Sequence, residues 1–186
     1  MPRLIYSALM SLDGFIEDAD GNFDWAVPDE AQHQFINDLM RSIGTHLYGR
    51  RMYETMAVWE TEPGLAAQSP VRRDFAAIWQ AAEKVVYSRT LNEVWTSQTR
   101  LERELDVDAV QAMKTSESRD ILIAGPELAA EAIRAGLVDD YHFFVAPVAI
   151  GAGKRALPAG VHLQLQLQDE RRFSNGAVYL RYAAVG

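Results

Sequence analysis

Strand-like and helix-like stretches alternate along most of this chain, and that alternation limits its possible folds more than any other feature. Arg3 to Met10 is β-rich and apolar on both faces, the pattern of a strand buried in the middle of a sheet. Asp13-Gly14 and Asp18-Ala19-Asp20-Gly21 then mark turns, so Ser11 to Asp24 reads as a loop. Asp29 and Glu30, after Pro28, open a helix whose apolar residues Phe35, Ile36, Leu39, Met40 and Ile43 keep the 3.6-residue period, and Gly44 closes it. A short strand over Thr45 to Tyr48 leads into a helix from Arg50, a loop rich in Pro and Gly from Glu62 to Pro70, and a helix from Val71 to Ala82. Lys84 to Tyr87, Val94 to Ser97, Ile121 to Ala124 and Tyr141 to Val145 read as strands, with helices over Val107 to Lys114 and Glu127 to Ala135 between them. Val161 to Gln168 and Ala177 to Ala184 flank Ser174-Asn175-Gly176 as a hairpin. Strands alternating with helices and ending in an antiparallel hairpin predict an α/β fold with a mixed sheet. With no repeat and no linker in sight, the expectation is one domain over residues 1–186.

Composition narrows the function classes. A chain of 186 residues can bury roughly 70% of the surface its unfolded form exposes. Its 48% hydrophobic and 24% charged residues are ordinary for a globular protein and exclude a disordered one. The absence of cysteine removes disulfides, thiolate nucleophiles and thiolate metal sites. Met1 to Tyr6 lacks the apolar region of a signal peptide and no stretch is apolar enough for a membrane span, so the expected location is the cytoplasm with no membrane partner. A net charge of −8 argues against a nucleic-acid partner, because such proteins neutralise phosphates with clustered Lys and Arg. Any phosphate site must therefore be local.

Three local sites qualify. In Leu47-Tyr48-Gly49-Arg50-Arg51-Met52-Tyr53-Glu54, a glycine turn converts a strand into a helix and sets two guanidinium forks at its start, which suits an anionic group, although a solvated Arg pair would look the same. Val85-Val86-Tyr87-Ser88-Arg89-Thr90 ends a buried strand in hydroxyls and a guanidinium, where α/β sheets gather ligands; a plain polar strand exit is the alternative. Ile121-Leu122-Ile123-Ala124-Gly125-Pro126-Glu127-Leu128 passes from a strand through a glycine into a helix that Pro126 starts, leaving free N–H groups beyond the proline for a pyrophosphate, or serving only as a turn. Together the three would outline an extended dinucleotide.

Acidic residues form a separate group. Ser11-Leu12-Asp13-Gly14 and Trp25-Ala26-Val27-Pro28-Asp29-Glu30 place carboxylates near Phe23 and Trp25, where burial would raise a pKa toward the range of a proton donor. Helix-dipole placement accounts equally for Asp29 and Glu30, and a turn for Asp13. His33, His46, His142 and His162 lack ligand spacing, so no metal is expected. Gly151-Ala152-Gly153-Lys154 lacks the full phosphate-loop spacing and reads as a flexible turn. No nucleophile elbow supports a hydrolase.

In this order the motifs resemble the dihydrofolate reductase superfamily, and within it the branch containing the carboxyl-terminal reductase domain of bifunctional riboflavin-biosynthesis proteins. The resemblance covers nearly the whole chain and rests on Ser-Leu-Asp-Gly, Tyr-Gly-Arg-Arg-Met-Tyr-Glu, Tyr-Ser-Arg, Ile-Ala-Gly-Pro and the Gly-Leu-Val-Asp-Asp-Tyr segment before Pro147 and Gly151. It implies a dihydrofolate-reductase-like three-layer α/β fold, with a mixed, mostly parallel sheet of about eight strands, flanking helices and a carboxyl-terminal antiparallel hairpin. It further implies NADPH across the strand ends, a small-molecule substrate and a homodimer. Gly49, Arg50 and Arg51 match the family's first phosphate turn, and Ser88, Arg89 and Thr90 the 2′-phosphate segment. Gly125, Pro126, Glu127 and Leu128 match the pyrophosphate turn, with Gly-Pro where folate reductases have Gly-Gly and the cis or trans state of the peptide left open. Ala8, Leu9 and Ile16 match the nicotinamide wall. Glu30, or Asp29 one place away, and Asp13 match catalytic or substrate-gripping acids, and Trp25 and Tyr53 join Asp13 and Glu30 as substrate contacts. The His-x-Glu and Pro-Cys-x-x-Cys of the zinc deaminase domain are missing, so the expectation is a stand-alone reductase-like domain. The resemblance implies an NADPH-dependent oxidoreductase that transfers hydride to a small pterin-like, pyrimidine-like or carbonyl substrate, with 5-amino-6-(5-phosphoribosylamino)uracil reduction as the branch's model. The alternative is a nucleotide-binding, non-catalytic homodimer that kept the fold.

Overall fold

Leu4 to Ser11 forms strand β1 at the middle of the sheet, and its apolar residues on both faces explain the place it takes. The computed structural model describes residues 1–185. After β1 come β2 (Phe15–Glu17), a 3-10 turn (Asp24–Ala26), α1 (Glu30–Met40), β3 (Ile43–Gly49), α2 (Arg50–Met56), α3 (Val58–Thr61), α4 (Pro63–Ala66), α5 (Pro70–Ala81) and β4 (Glu83–Tyr87). The second half holds β5 (Thr99–Glu102), α6 (Val107–Ser116), β6 (Asp120–Ala124), α7 (Pro126–Arg134), β7 (Asp140–Ala146), β8 (Lys154–Arg155), β9 (Leu165–Arg172) and β10 (Val178–Ala184).

The main sheet has eight strands in the order β5-β4-β3-β6-β1-β7-β10-β9. The six from β5 to β7 run parallel, and β10 joins β7 and β9 antiparallel. This is the α/β fold with a mostly parallel sheet and a carboxyl-terminal hairpin anticipated above. On one face α7 packs over Leu4, Tyr6, Leu47 and Ile123 with Leu128, Ala129, Ala132 and Ile133. On the other, Phe75 and Trp79 of α5 and Met40 of α1 close over Ile5, Tyr48, Val86 and Leu122. Burying each large apolar side chain stabilises the fold by about 1.5–3 kcal/mol.

Two polar chains cross this core. Trp79 Nε1 donates to the Tyr48 hydroxyl at 3.0 Å, and that hydroxyl lies 3.0 Å from His46 Nδ1. Tyr179 meets His142 Nδ1 at 3.2 Å. Nε2 of each of these imidazoles is buried with no hydrogen-bond partner. Burial, helped by Lys84 beside His46 and Arg181 beside His142, pushes the two imidazoles down to about 3 and about 4. Both are neutral at pH 7.

The sequence reading needs correction at several points. Val94 to Ser97 is a loop, because the Trp95 and Thr96 N–H groups donate to the Tyr53 hydroxyl (2.9 and 3.1 Å) and Ser97 N–H to Glu60 (2.8 Å), which leaves no ladder to join. The strand is Thr99–Glu102. The expected strand from Val161 starts only at Leu165 and continues through the charged Asp169-Glu170-Arg171-Arg172, a sequence tolerated because β9 is the sheet edge. The loop after β1 contains β2, paired with β8 in a second, two-stranded sheet. Gly151 to Lys154 is not a loose turn: a Cβ on Gly153 would sit 2.0 Å from the Glu17 carbonyl oxygen, so the segment is packed against β2. A helical turn, α4, interrupts the Glu62 to Pro70 loop.

Candidate functional site

Because β4, β3, β6 and β1 are consecutive and parallel, their carboxyl ends open side by side along one edge. The three proposed phosphate turns therefore become neighbours. Arg50, first residue of α2, donates from Nε to Glu54 at 2.7 Å and from Nη1 to Thr90 Oγ1 at 3.1 Å, which joins the β3 exit to the β4 exit. Ser88 Oγ accepts from the N–H groups of Thr90 (3.3 Å) and Leu91 (3.0 Å) and so shapes the turn, while the exposed Arg89 guanidinium pairs with Glu104 at 2.7 Å. At the β6 exit Gly125 adopts φ +94°, a left-handed backbone open to glycine, and a Cβ there would press on Met52 at 3.4 Å. A Cβ on Gly49 would meet Leu128 at 3.9 Å, so the β3 and β6 turns touch. No peptide bond among the described residues is cis, so Gly125–Pro126 is trans.

Helix starts differ across the molecule. Asp29, Ser69 and Asp106 cap α1, α5 and α6 with their side chains, whereas α2 and α7 begin at Gly49 and Gly125 with no side-chain cap. The first N–H groups of α7 after Pro126 thus open beside the start of α2 with its Arg50 and Arg51, and Arg89 stands two strands away at the β4 exit, a donor set that fits the phosphates of a dinucleotide. Glu127 turns outward to Lys154 at 3.0 Å, and Leu128 is buried in the core, so both could serve a ligand only through backbone N–H groups. Arg51 lies 3.6 Å from Glu17, which also takes Lys154 at 3.4 Å.

The β1 exit forms the other half of the edge. Ala8 and Leu9 face opposite sides of β1, and Ile16 packs against the α7-side core. Asp13 is occupied: its carboxylate accepts from Ser11 Oγ (2.6 Å), Gly151 N–H (2.7 Å) and Ile150 N–H (3.1 Å), fastening the β1–β2 turn to the segment after β7. Those hydrogen bonds, Ser11 first, hold it below the usual carboxylate range, opposite in sign to the raised pKa entertained for a proton donor. Asp29 spends its carboxylate on the Gln32 N–H at 2.8 Å. Glu30 sits exposed in the first turn of α1, and its carboxylate makes no hydrogen bond among the described residues. The Trp25 Nε1 is enclosed without an acceptor, an unmet donor on this side. Tyr53 requires a correction: it is fully buried and its hydroxyl is taken by Trp95, Thr96 N–H and Thr96 Oγ1, so it holds a loop and has no surface for substrate.

Comparison with known proteins decides the family. Residues 2–179 match the model for the RibD C-terminal domain. The chain belongs to this family. It is 29% identical over 182 residues to the uncharacterized protein YyaP of Bacillus subtilis (strain 168), covering 97% of this chain and 94% of that protein. A structure from Shewanella sp. PV-4, named as a candidate riboflavin biosynthesis protein, aligns over 99% of both chains with a TM-score of 0.76 at 18% identity. A diaminohydroxyphosphoribosylaminopyrimidine deaminase/5-amino-6-(5-phosphoribosylamino)uracil reductase of Thermotoga maritima aligns over 99% of this chain and 57% of its own, with a TM-score of 0.67 at 13% identity. This RibD C-terminal domain is thus reductase-like in family and fold. Within it, Glu54, Glu104, Glu17 and Lys154 hold the arginines and turns of the edge. The i, i+4 spacing of Arg50 and Glu54 was legible in the sequence; Glu17 and Lys154 are brought together only by the β2–β8 pairing.

Proposed function

We propose that this RibD C-terminal domain is an NADPH-dependent oxidoreductase that transfers hydride to a small heterocyclic or carbonyl substrate. The observation that carries the reading is the Arg50–Thr90 hydrogen bond, which unites two phosphate-type turns at adjacent parallel strand ends. NADPH, when bound, supplies the hydride. Arg50, Arg51 and the free N–H groups of α7 would hold its phosphates, and Ser88, Arg89 and Thr90 the 2′-phosphate, a pair of arginine sites that suits NADPH over NADH. Ala8, Leu9 and Ile16 would keep water from the nicotinamide face, and Trp25 and Glu30 would orient the substrate. Asp13, tied to Ile150 and Gly151, would position the walls of the pocket rather than exchange a proton.

One observation favours the non-catalytic alternative: Asp13 and Asp29, two of the three acids considered as proton donors, are engaged as structural acceptors. A nucleotide-binding protein would need neither. Either form would be a homodimer, for which the half-buried Val145, Leu165 and Tyr182 of the carboxyl-terminal strands offer an apolar surface. Isothermal titration with NADPH and, separately, NADH tests the reading. Micromolar binding that prefers NADPH is expected, and binding of neither would sink it.

A further inference from the structure

The amino ends of the strands, opposite the proposed cofactor edge, enclose a cavity. Helix α1 stops at Met40, and the turn through Ser42 into β3 leaves a space of about 110 Å³ over the first residues of β1, β3, β6 and β7. Its apolar lining is Ile5, Leu39, Met40 and Ile43. Its polar lining is Asp120 of β6, Asp140 and His142 of β7 and Arg181 of β10. Asp140 and His142 are alternate residues of β7, so they share the face on which Phe144 meets Phe35 of α1.

These polar groups are deeply placed: His142 is 6% exposed and Asp140 2%. Asp140 is satisfied, because its carboxylate accepts from Arg3 Nη1 at 2.9 Å and from Arg181 Nε and Nη2 at 3.0 and 2.8 Å. His142 is not. Its Nδ1 is taken by Tyr179, which does not line the cavity, and Nε2 on the other edge of the ring has no hydrogen-bond partner among the described residues. Asp140 Oδ2 lies 4.0 Å from that nitrogen, so Nε2 points toward the cavity that Asp140 lines. Asp120 uses one carboxylate oxygen, on the Arg3 N–H at 2.9 Å, and its other oxygen makes no hydrogen bond among the described residues.

A buried, unpartnered ring nitrogen beside a roomy polar cavity is where proteins hold a water or a ligand. The space far exceeds the roughly 10–15 Å³ that one water needs and approaches the 150 Å³ or so that takes up benzene, so a molecule of about five non-hydrogen atoms fits. Charge selects among such molecules. With His142 neutral, Arg3 and Arg181 balance Asp120 and Asp140, so an ion of either sign gains little there and still has to shed its hydration. A group with both a carbonyl acceptor and an N–H donor can serve His142 Nε2 and Asp120 together, whichever ring nitrogen carries the proton. The apolar lining suits a short hydrocarbon part.

We infer that this cavity binds a small neutral amide, one that joins a carbonyl and an N–H to a short apolar chain. The site lies at the end of α1 remote from Glu30 and is independent of the reductase reading.

The test titrates the full chain, ¹⁵N-labelled at histidine and ¹³C-labelled at methyl groups, with three probes of similar shape: propionamide, propionate and n-propylammonium. Propionamide is expected to bind with millimolar affinity, to move the His142 Nε2 resonance and to give NOEs to the methyl groups of Ile5, Leu39, Met40 and Ile43. Both ions are expected to bind about tenfold more weakly, and His142→Phe to weaken the amide by a similar factor. The NOEs are read on the wild-type chain, so the answer does not depend on whether the variant folds. A His142 signal and cavity methyl groups unmoved by a large excess of propionamide would mean that the cavity holds water only. Binding of propionate or n-propylammonium as tight as that of the amide would refute the ligand class. Either result overturns the inference.

Discussion

Arg50→Ala is the most direct perturbation of the proposed cofactor site. The guanidinium is about half exposed and is held by Glu54 and Thr90, so it reaches a ligand already oriented. A hydrogen bond to a charged group contributes about 1.5–3 kcal/mol, and at this exposure the lower part of that range applies. At about 1.4 kcal/mol per decade, NADPH affinity should fall roughly tenfold to thirtyfold. Folding stability should change by no more than about 0.5 kcal/mol, the usual worth of an exposed i, i+4 pair. Arg89→Ala isolates the 2′-phosphate: NADPH binding should weaken while NADH binding stays as it was, which erases the preference between them. Isothermal titration of both cofactors against both variants, with urea denaturation as the control for folding, gives all these numbers. Wild-type NADPH affinity in both variants would refute the placement of the cofactor on this edge.

Other outcomes follow from the same geometry. Tyr53→Phe leaves the Trp95 and Thr96 N–H groups without their acceptor and should cost about 1–3 kcal/mol, read as a drop in Tm of several degrees in calorimetry. Gly153→Ala drives a methyl group into the Glu17 carbonyl and should uncouple β2 from β8, seen as faster amide exchange in both segments. His46 and His142 have folded pKa values below the usual 6.5, so the unfolded chain takes up protons first and stability must fall as the pH drops from about 6.5 toward about 4. Each contributes a slope of up to about 1.4 kcal/mol per pH unit, and urea melts of His142→Leu between pH 7 and 5 should show a shallower slope than wild type. Equal slopes in the two proteins would contradict the buried neutral imidazole.

Local chemistry explains which parts of the fold were legible in the sequence. The parallel strands were visible because β1, β3, β4, β6 and β7 are buried on both faces, with mostly apolar runs in β1, β6 and β7 and short β-favouring runs in β3 and β4, and each is followed by a turn or loop of glycine, proline or polar residues. Asp29 and Pro126 marked helix starts that occur where the sequence put them. Errors arose where long-range pairing overrode local pattern. Val94 and Trp95 have strand propensity, but Tyr53 and Glu60 capture the backbone that a ladder would need. The expected strand ends at Gln168, whereas β9 continues through Asp169 to Arg172, since an edge position lets charged side chains point to water. At the candidate site, Gly49, Arg50 and Gly125 could be picked out from strand-to-helix transitions and Ser88, Arg89 and Thr90 from a polar strand end, and their order along the sheet makes them adjacent. Burial of Tyr53 and the backbone contacts of Asp13 were invisible, because they depend on partners about 40 and 140 residues away.

The position of β1 has a consequence for how the molecule is made. As the chain leaves the ribosome, Leu4 to Ser11 emerges well before its two partners, β6 and β7, with Tyr6 paired to Ile123 on one side and Tyr141 on the other. An apolar strand must therefore wait for more than 100 further residues before either neighbour can take it. The β3–β4 half can assemble meanwhile, and the β9–β10 hairpin closes locally after β7. Nascent chains stalled before residue 120 would carry this unpaired strand exposed, the stage at which a holding chaperone would find its target.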